Sequence, residues 1–287
     1  MIQEPNPAFA TANDWPDVDD FSGTLSPEGS WTEPVADTSV ADGLAWAAVG
    51  GQVLALPSTA PALYLSPLAP HVPGGPKRGG VPVLFPQFAE HGQLPKHGWA
   101  RQALWQCQPS GAGTFPGGSL LHWAAQWDCP PNTHPDWPHK AHLRHELTVQ
   151  GGSLHFRLEV HNTGATDWSW SGGLHPYWRV PALTDCWLEG LPHGPLRFDG
   201  AQCEQLHPNT AALTLHMGDG TSLKLRTLGF TEWMVWNPGA EGTLALRDLP
   251  PGDWRHFVCI EPVCVSNPVT LAPGESFVGH LWVELRR

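Results

Sequence analysis

Leu143-Arg-His-Glu-Leu-Thr-Val149, the pair Gly151-Gly152, and Leu154-His-Phe-Arg-Leu-Glu-Val160 together decide the fold class of this chain. On the first side Leu143, His145, Leu147 and Val149 alternate with Arg144, Glu146 and Thr148. On the second, Leu154, Phe156, Leu158 and Val160 alternate with His155, Arg157 and Glu159. Successive side chains of a strand point to opposite faces, so a period of two on both sides of a glycine pair reads as a β-hairpin. The pattern recurs around Gly218-Asp219-Gly220, with Leu213, Leu215 and Met217 before it and Leu223 and Leu225 after it. Phe277 to Leu285 reads as one more strand after the turn residues Ala272-Pro273-Gly274-Glu275. No segment shows a 3.6-residue apolar period bounded by caps, so helix should be scarce. The expectation is an all-β protein, a sandwich or barrel of many short strands.

Composition agrees with a turn-rich β protein. Glycine and proline number 31 each, yet 41% of the 287 residues are hydrophobic and 16 are tryptophan, which argues against disorder. No long low-complexity linker interrupts the chain, which favours one domain over residues 1–287. Residues 1–40 are acidic and proline-rich, with Asp14, Asp17, Asp19 and Asp20, and read as a loosely packed arm or as edge strands. The six cysteines show no CxxC spacing, and Met1-Ile-Gln-Glu-Pro5 lacks a basic or apolar leader, so a cytoplasmic protein with reduced thiols is expected. No apolar run approaches the roughly 18 residues that span a bilayer, and a net charge of −12 disfavours nucleic acid and anionic membrane as partners. What remains is a soluble protein that binds a small molecule, and a monomer is expected.

One segment runs against the acidity. Residues 77–101 hold Lys77, Arg78, Lys96 and Arg101, four of only 15 lysines and arginines, with Glu90 as the single acid. Basic side chains beside turn glycines in an acidic chain suggest a pocket for a small anion. Arg78 and Arg101 stand next to Gly79-Gly80 and Ala100, where backbone could approach a ligand and a guanidinium could take phosphate oxygens in pairs; the plain alternative is solvated surface charge.

Two further residues invite a chemical reading. Glu261 follows Phe257-Val-Cys-Ile260 and precedes Pro262, which reads as a strand end where a carboxylate meets solvent; partly buried, it would instead be a competent general base. His175, between Gly172-Gly173-Leu174 and Pro176-Tyr177-Trp178, reads as a satisfied core histidine or as a proton donor tunable near neutral pH. His134, His139, His142 and His145 fit no standard metal spacing, and no metal is expected. Trp99, Trp178, Trp233 and Trp236 read as core first and as sugar-stacking platforms second.

Taken in order, Arg78-Gly-Gly-Val-Pro-Val83, Leu94-Pro-Lys-His-Gly-Trp-Ala-Arg101, Leu174-His-Pro-Tyr177, Val235-Trp-Asn-Pro-Gly239, Val258-Cys-Ile-Glu261 and Leu271-Ala-Pro-Gly-Glu275 resemble the glucose-6-phosphate 1-epimerases, the hexose-6-phosphate mutarotases of the galactose mutarotase-like group. The resemblance runs from about Leu63 to the C-terminus. It implies a large antiparallel β-sandwich, or supersandwich, with the sugar in a cleft. It also implies that His175 is the general acid and Glu261 the general base, that Arg78, Lys96, His97 and Arg101 bind the substrate, and that no cofactor is used. Lys96 stands where relatives often carry glutamine.

The chain departs from the family at one place. The family's Thr-Asp-Arg motif, whose aspartate contacts sugar hydroxyls, has as its counterpart Phe198-Asp-Gly-Ala-Gln-Cys203-Glu204-Gln205, with Cys203 where the aspartate belongs. Glu204 is adjacent, but strand neighbours face opposite sides. The implied activity is the interconversion of α and β anomers of a hexose 6-phosphate. The alternatives are an aldose 1-epimerase of neutral sugars and a sugar-phosphate-binding protein that has lost activity.

Overall fold

The computed structural model describes residues 38–69, 77–115 and 118–287, so most of the acidic stretch 1–40 lies outside the described residues. Eighteen strands follow one another among them. β1 (Thr38–Ala41), β2 (Leu44–Ala47) and β3 (Gln52–Ala55) form a small sheet. The others are β4 (Val83–Leu84), β5 (Gln106–Phe115), β6 (Gly118–Cys129), β7 (Ala141–Gln150), β8 (Ser153–Asn162), β9 (Trp168–Leu174), β10 (Tyr177–Arg179), β11 (Trp187–Glu189) and β12 (Leu196–Arg197). They continue with β13 (Cys203–Pro208), β14 (Leu213–His216), β15 (Ser222–Leu228), β16 (Glu232–Asn237), β17 (Phe257–Leu271) and β18 (Ser276–Arg286). One short α-helix, α1 (Gly239–Thr243), and three 3-10 turns are the helical structure among the described residues, as the missing 3.6-residue period implies.

Nine strands build one sheet in the order β12-β11-β14-β15-β18-β8-β7-β6-β5, and six build a second in the order β13-β16-β17-β9-β4 with β10 beside β17. The expected large antiparallel sandwich is what the chain forms. The hairpin around Gly151-Gly152 pairs Gln150 with Ser153 and Leu143 with Val160, and Gly151 takes the left-handed φ of +59° that such a turn needs. Along β7 and β8 burial alternates residue by residue, with Leu143, Leu147, Phe156 and Leu158 fully inward. Both sheets feed one core. Trp170 of β9 meets Phe277 of β18 edge-on at 5.2 Å between ring centres, and truncating a side chain as deeply buried as Trp170 costs about 3–5 kcal/mol.

The second sheet positions the site, because its faces differ. Along β17, Val258, Ile260 and Cys264 point into the core shared with the nine-stranded sheet, while Cys259, Glu261 and Val263 point the other way. Glu261 is not at a strand end. β17 runs through Pro262 because β16 and β9 flank it on both sides, and its break comes only after Cys264. There Glu232 holds the irregular turn, accepting the N–H groups of Val265 and Ser266 at 2.8 Å each. No helix among the described residues is long and apolar enough to cross a membrane, and the six cysteines are buried and form no disulfide among the described residues.

Candidate active site

His175 and Glu261 lie 86 positions apart in sequence, and strand register brings them together. β9 pairs Gly173 with Val263, and β10 pairs Tyr177 with Cys259. Both strands therefore keep one register against β17, and His175 at the junction between them falls opposite Glu261. Side chains so placed have Cβ atoms about 5 Å apart. The observed Nε2–Oε1 distance is 3.4 Å. The imidazole is held on one side by its backbone N–H, which donates to Pro82 O at 2.9 Å, and on the other by Tyr177, whose ring stacks on it at 4.8 Å. Both residues are almost wholly buried, and His175 Nδ1 and Glu261 Oε2 have no hydrogen-bond partner among the described residues.

Above this pair opens a cavity of about 310 Å³, room enough for a monosaccharide. Arg78, Lys96, His97 and Arg101 line it, so the structure gathers every site residue read from the sequence. Lys77 is not among its walls. The glycines act differently from the expectation. Gly79 and Gly80 are buried against the backbones of Tyr64 and Val53, where any side chain would collide, so they seat Arg78 in the sheet and do not face a ligand. Gly98 plays the same part beneath Phe85, and it lets His97, at φ +63°, turn its ring into the cavity.

The cations are not equivalent. Arg78 gives Nε to Asp248 Oδ1 at 2.7 Å and Nη1 to Tyr177 Oη at 3.5 Å, so its charge is largely answered. Lys96 is mostly exposed at the rim and pairs with Glu90 at 3.5 Å. Arg101 donates from Nη2 to Lys96 O at 3.2 Å, leaves a buried Nε unpaired, and has no carboxylate within ion-pair distance among the described residues. It is the cation best placed to receive an anion.

Burial governs the proton affinities. His97 is pushed down to about 3, first by burial and then by Arg101, Lys96 and Arg78. Its Nδ1 accepts the Ala89 N–H at 3.1 Å, so its proton rests on Nε2, toward the cavity. His175 falls well below its ordinary 6.5, first by burial, then through His97, Arg101 and Arg78. Glu261 rises well above 4.5, first by burial and then through Glu204. Burial thus favours a neutral imidazole and a protonated carboxyl, whereas the roles implied by resemblance need the same proton on the imidazole. Cys259 adds a third donor, and it, His175 and Glu261 bring ligand atoms within 4.8 Å of one another. A thiophilic divalent ion there would have to displace a thiol proton that burial, and then Glu261, hold tightly.

The aldose 1-epimerase family model matches residues 46–203, more than half of the chain. This protein belongs to the aldose 1-epimerase family. Among curated relatives, a protein of Cenchrus ciliaris provisionally named glucose-6-phosphate 1-epimerase is 27% identical over 76% of this chain and 73% of its own length. One of the same provisional name from Escherichia coli is 28% identical over 71% and 73%. The crystal structure of a provisionally named mutarotase, YeaD, of Salmonella typhimurium superposes with a TM-score of 0.73 at 22% identity, covering 85% of this chain and 87% of that one.

Within this aldose 1-epimerase fold the departure at Cys203 takes a definite form. Cys203 faces the core, its Sγ donating to Val235 O at 3.7 Å, while Glu204 faces the cavity. Of the four tryptophans weighed as platforms, Trp178 and Trp233 are core, Trp99 stacks on His134, and Trp236 alone lines the cavity. Inspection of the sequence missed Asp248, Tyr177 and Met234 as parts of the site. Tyr177 had a signal, since it lies two residues beyond His175 on the same face. Asp248 had none, because a loop residue 170 positions from Arg78 carries no periodicity.

Proposed function

We propose that this protein interconverts the α and β anomers of a hexose 6-phosphate, glucose 6-phosphate first, without a cofactor. The observation that carries the reading is the His175–Glu261 pair at 3.4 Å on the floor of a sugar-sized cavity whose wall holds Arg101 without a carboxylate partner. The provisional names of the curated relatives support the same substrate.

Glu261 takes the proton of the C1 hydroxyl while His175 delivers one to the ring oxygen. The C1–O5 bond breaks, the open aldehyde turns about C1–C2, and reclosure with both transfers reversed gives the other anomer. Each positioned proton transfer contributes roughly 10² to 10⁴ in rate. The pair must hold one proton in total. Burial favours its resting place on Glu261 in the empty site, and the positive field of Arg101 and Arg78 disfavours a protonated His175. A phosphate dianion bound to those guanidiniums offsets that field, so binding moves the proton toward the imidazole and frees Glu261 to act as the base.

Magnetisation exchange between anomers, followed by NMR, tests the proposal. Glucose 6-phosphate should exchange at low protein concentration far faster than glucose. Equal catalysis of both sugars would replace the reading with a neutral-sugar epimerase, and binding without exchange would replace it with a sugar-phosphate-binding protein.

A further inference from the structure

The hexose 6-phosphate reading leaves one requirement of the ligand unmet, and we infer that Glu204 meets it: this residue accepts the hydrogen bonds of the sugar's ring hydroxyls and so determines which hexose the site takes. A hexopyranose 6-phosphate carries three hydroxyls that take no part in ring opening, and each has a proton to place. The cavity's polar side chains are nearly all donors. Arg78, Lys96 and Arg101 cannot accept, and His97, whose Nδ1 is occupied by the Ala89 N–H, presents only Nε2–H. His175 and Glu261 are committed to the ring oxygen and the C1 hydroxyl. Tyr177 Oη already accepts from Arg78 Nη1 at 3.5 Å, and Phe88, Met234, Trp236 and Leu246 offer a hydroxyl no strong acceptor. Glu204 is the remaining carboxylate.

Its place in the sheet suits the task. Register sets Glu204 opposite Trp236, Trp236 opposite Cys259, and Cys259 opposite Tyr177, one row along from the row that holds Glu261 and His175. β13 is the edge strand of its sheet, two strands from β17, which puts about 10 Å between the two backbones. Two glutamate side chains and a pyranose with its hydroxyls fill that span. Trp236, between them, offers a ring against which the C–H face of the sugar can lie. Glu204 Oε2 accepts from Gln202 Nε2 at 3.2 Å, which steadies the carboxylate and leaves Oε1 available.

The experiment measures kcat/KM for anomer exchange with glucose 6-phosphate and with its 2-, 3- and 4-deoxy analogues, in wild type, Glu204→Ala and Glu204→Gln. Glu204→Ala should lose roughly tenfold to a hundredfold on the parent sugar, as expected for hydrogen bonds to a charged acceptor. Wild type should lose a similar factor on at least one deoxy analogue, and Glu204→Ala should treat that analogue and the parent within about threefold. Glu204→Gln, which keeps one acceptor oxygen, should fall between. Because Glu204 is exposed on an edge strand, all three proteins should melt alike. An unchanged kcat/KM in Glu204→Ala, or discrimination among the analogues that survives it intact, overturns the inference. Absence of exchange in wild type with every sugar would sink the proposed function instead. Calorimetric binding of the same sugars would then decide Glu204, weaker binding by the alanine variant upholding the inference and equal binding overturning it.

Discussion

Glu146 and Glu261 are both glutamates on inner strands, each with a histidine beside it, and the protein treats them in opposite ways. Glu146, on the outer face of β7, accepts Arg144 Nη2 at 2.8 Å and Arg157 Nη1 at 2.7 Å, and Arg157 reaches on to Glu159. Burial pushes its carboxyl up, but the two guanidiniums win and hold it below its ordinary 4.5. Glu261 is more deeply buried and has no such partner, so its carboxyl goes up. One cluster has spent its charge on itself and serves to tie strands together. The other has been left with orphaned polar atoms that a ligand can satisfy, and departures of this kind from internal consistency mark functional sites.

The contrast can be broken most forcefully by making the same change at both places. Glu261→Gln should cost about 10³-fold in anomer exchange, and His175→Ala at least about 10²-fold, with folds intact by circular dichroism. Glu146→Gln should leave exchange at the wild-type rate. Retained exchange in Glu261→Gln would remove that residue from the mechanism.

Acid should sharpen the contrast next. His145, one residue from Glu146, faces inward, donates from Nδ1 to Gly51 O at 3.0 Å, and is pushed down to about 4 by burial. Between its ordinary 6.5 and that value the unfolded chain binds a proton that the folded protein refuses. Stability should therefore fall as pH drops through 6.5 toward 4, by roughly 3 kcal/mol for this histidine alone. His97 and His155, each near 3, and His280, near 4, act with the same sign. Urea midpoints at pH 7, 5.5 and 4.5 measure the effect, and a flat series would contradict it.

A smaller effect separates the cavity's cations. Arg101→Ala should raise KM for the phosphorylated sugar about tenfold to a hundredfold and barely alter weak turnover of glucose. Arg78→Ala, which removes a guanidinium already paired with Asp248, should raise it only about threefold. Equal effects would mean that the two guanidiniums share the phosphate. The smallest change expected is in stability: Glu146→Gln should lose about 1–3 kcal/mol, read as a melting temperature lower by a few degrees.

How much of this could be read from sequence follows from the range of each interaction. The hairpin at Gly151-Gly152 and the strand from Phe277 were legible because alternation and turn residues are local signals. The motif residues proved to be of two kinds that sequence does not distinguish. Arg78, His97, His175 and Glu261 face the cavity. Asn237, in Trp236-Asn-Pro-Gly239, is a structural clasp, giving Nδ2 to Trp254 O and Phe257 O and accepting the Gly239 N–H at 2.8 Å. Glu275, in Ala272-Pro-Gly-Glu275, closes the turn into β18 by accepting the Ala272 N–H at 3.0 Å. The proline after Glu261 reads as a stop only until β16 and β9 are known to hold it. Which of Cys203 and Glu204 looks outward depends on the phase of β13 against β16, a tertiary fact.

The shared register of β9, β10 and β17 bears on how such a protein can change. His175 and Glu261 are lodged in the middle of the six-stranded sheet, where moving either would mean rebuilding the fold. Other residues that line the cavity stand at its margins, Glu204 on β13 and Lys96 and His97 on a turn. Taste for a new hexose can therefore be acquired at the border, one substitution at a time, while the chemistry in the interior stays as it is.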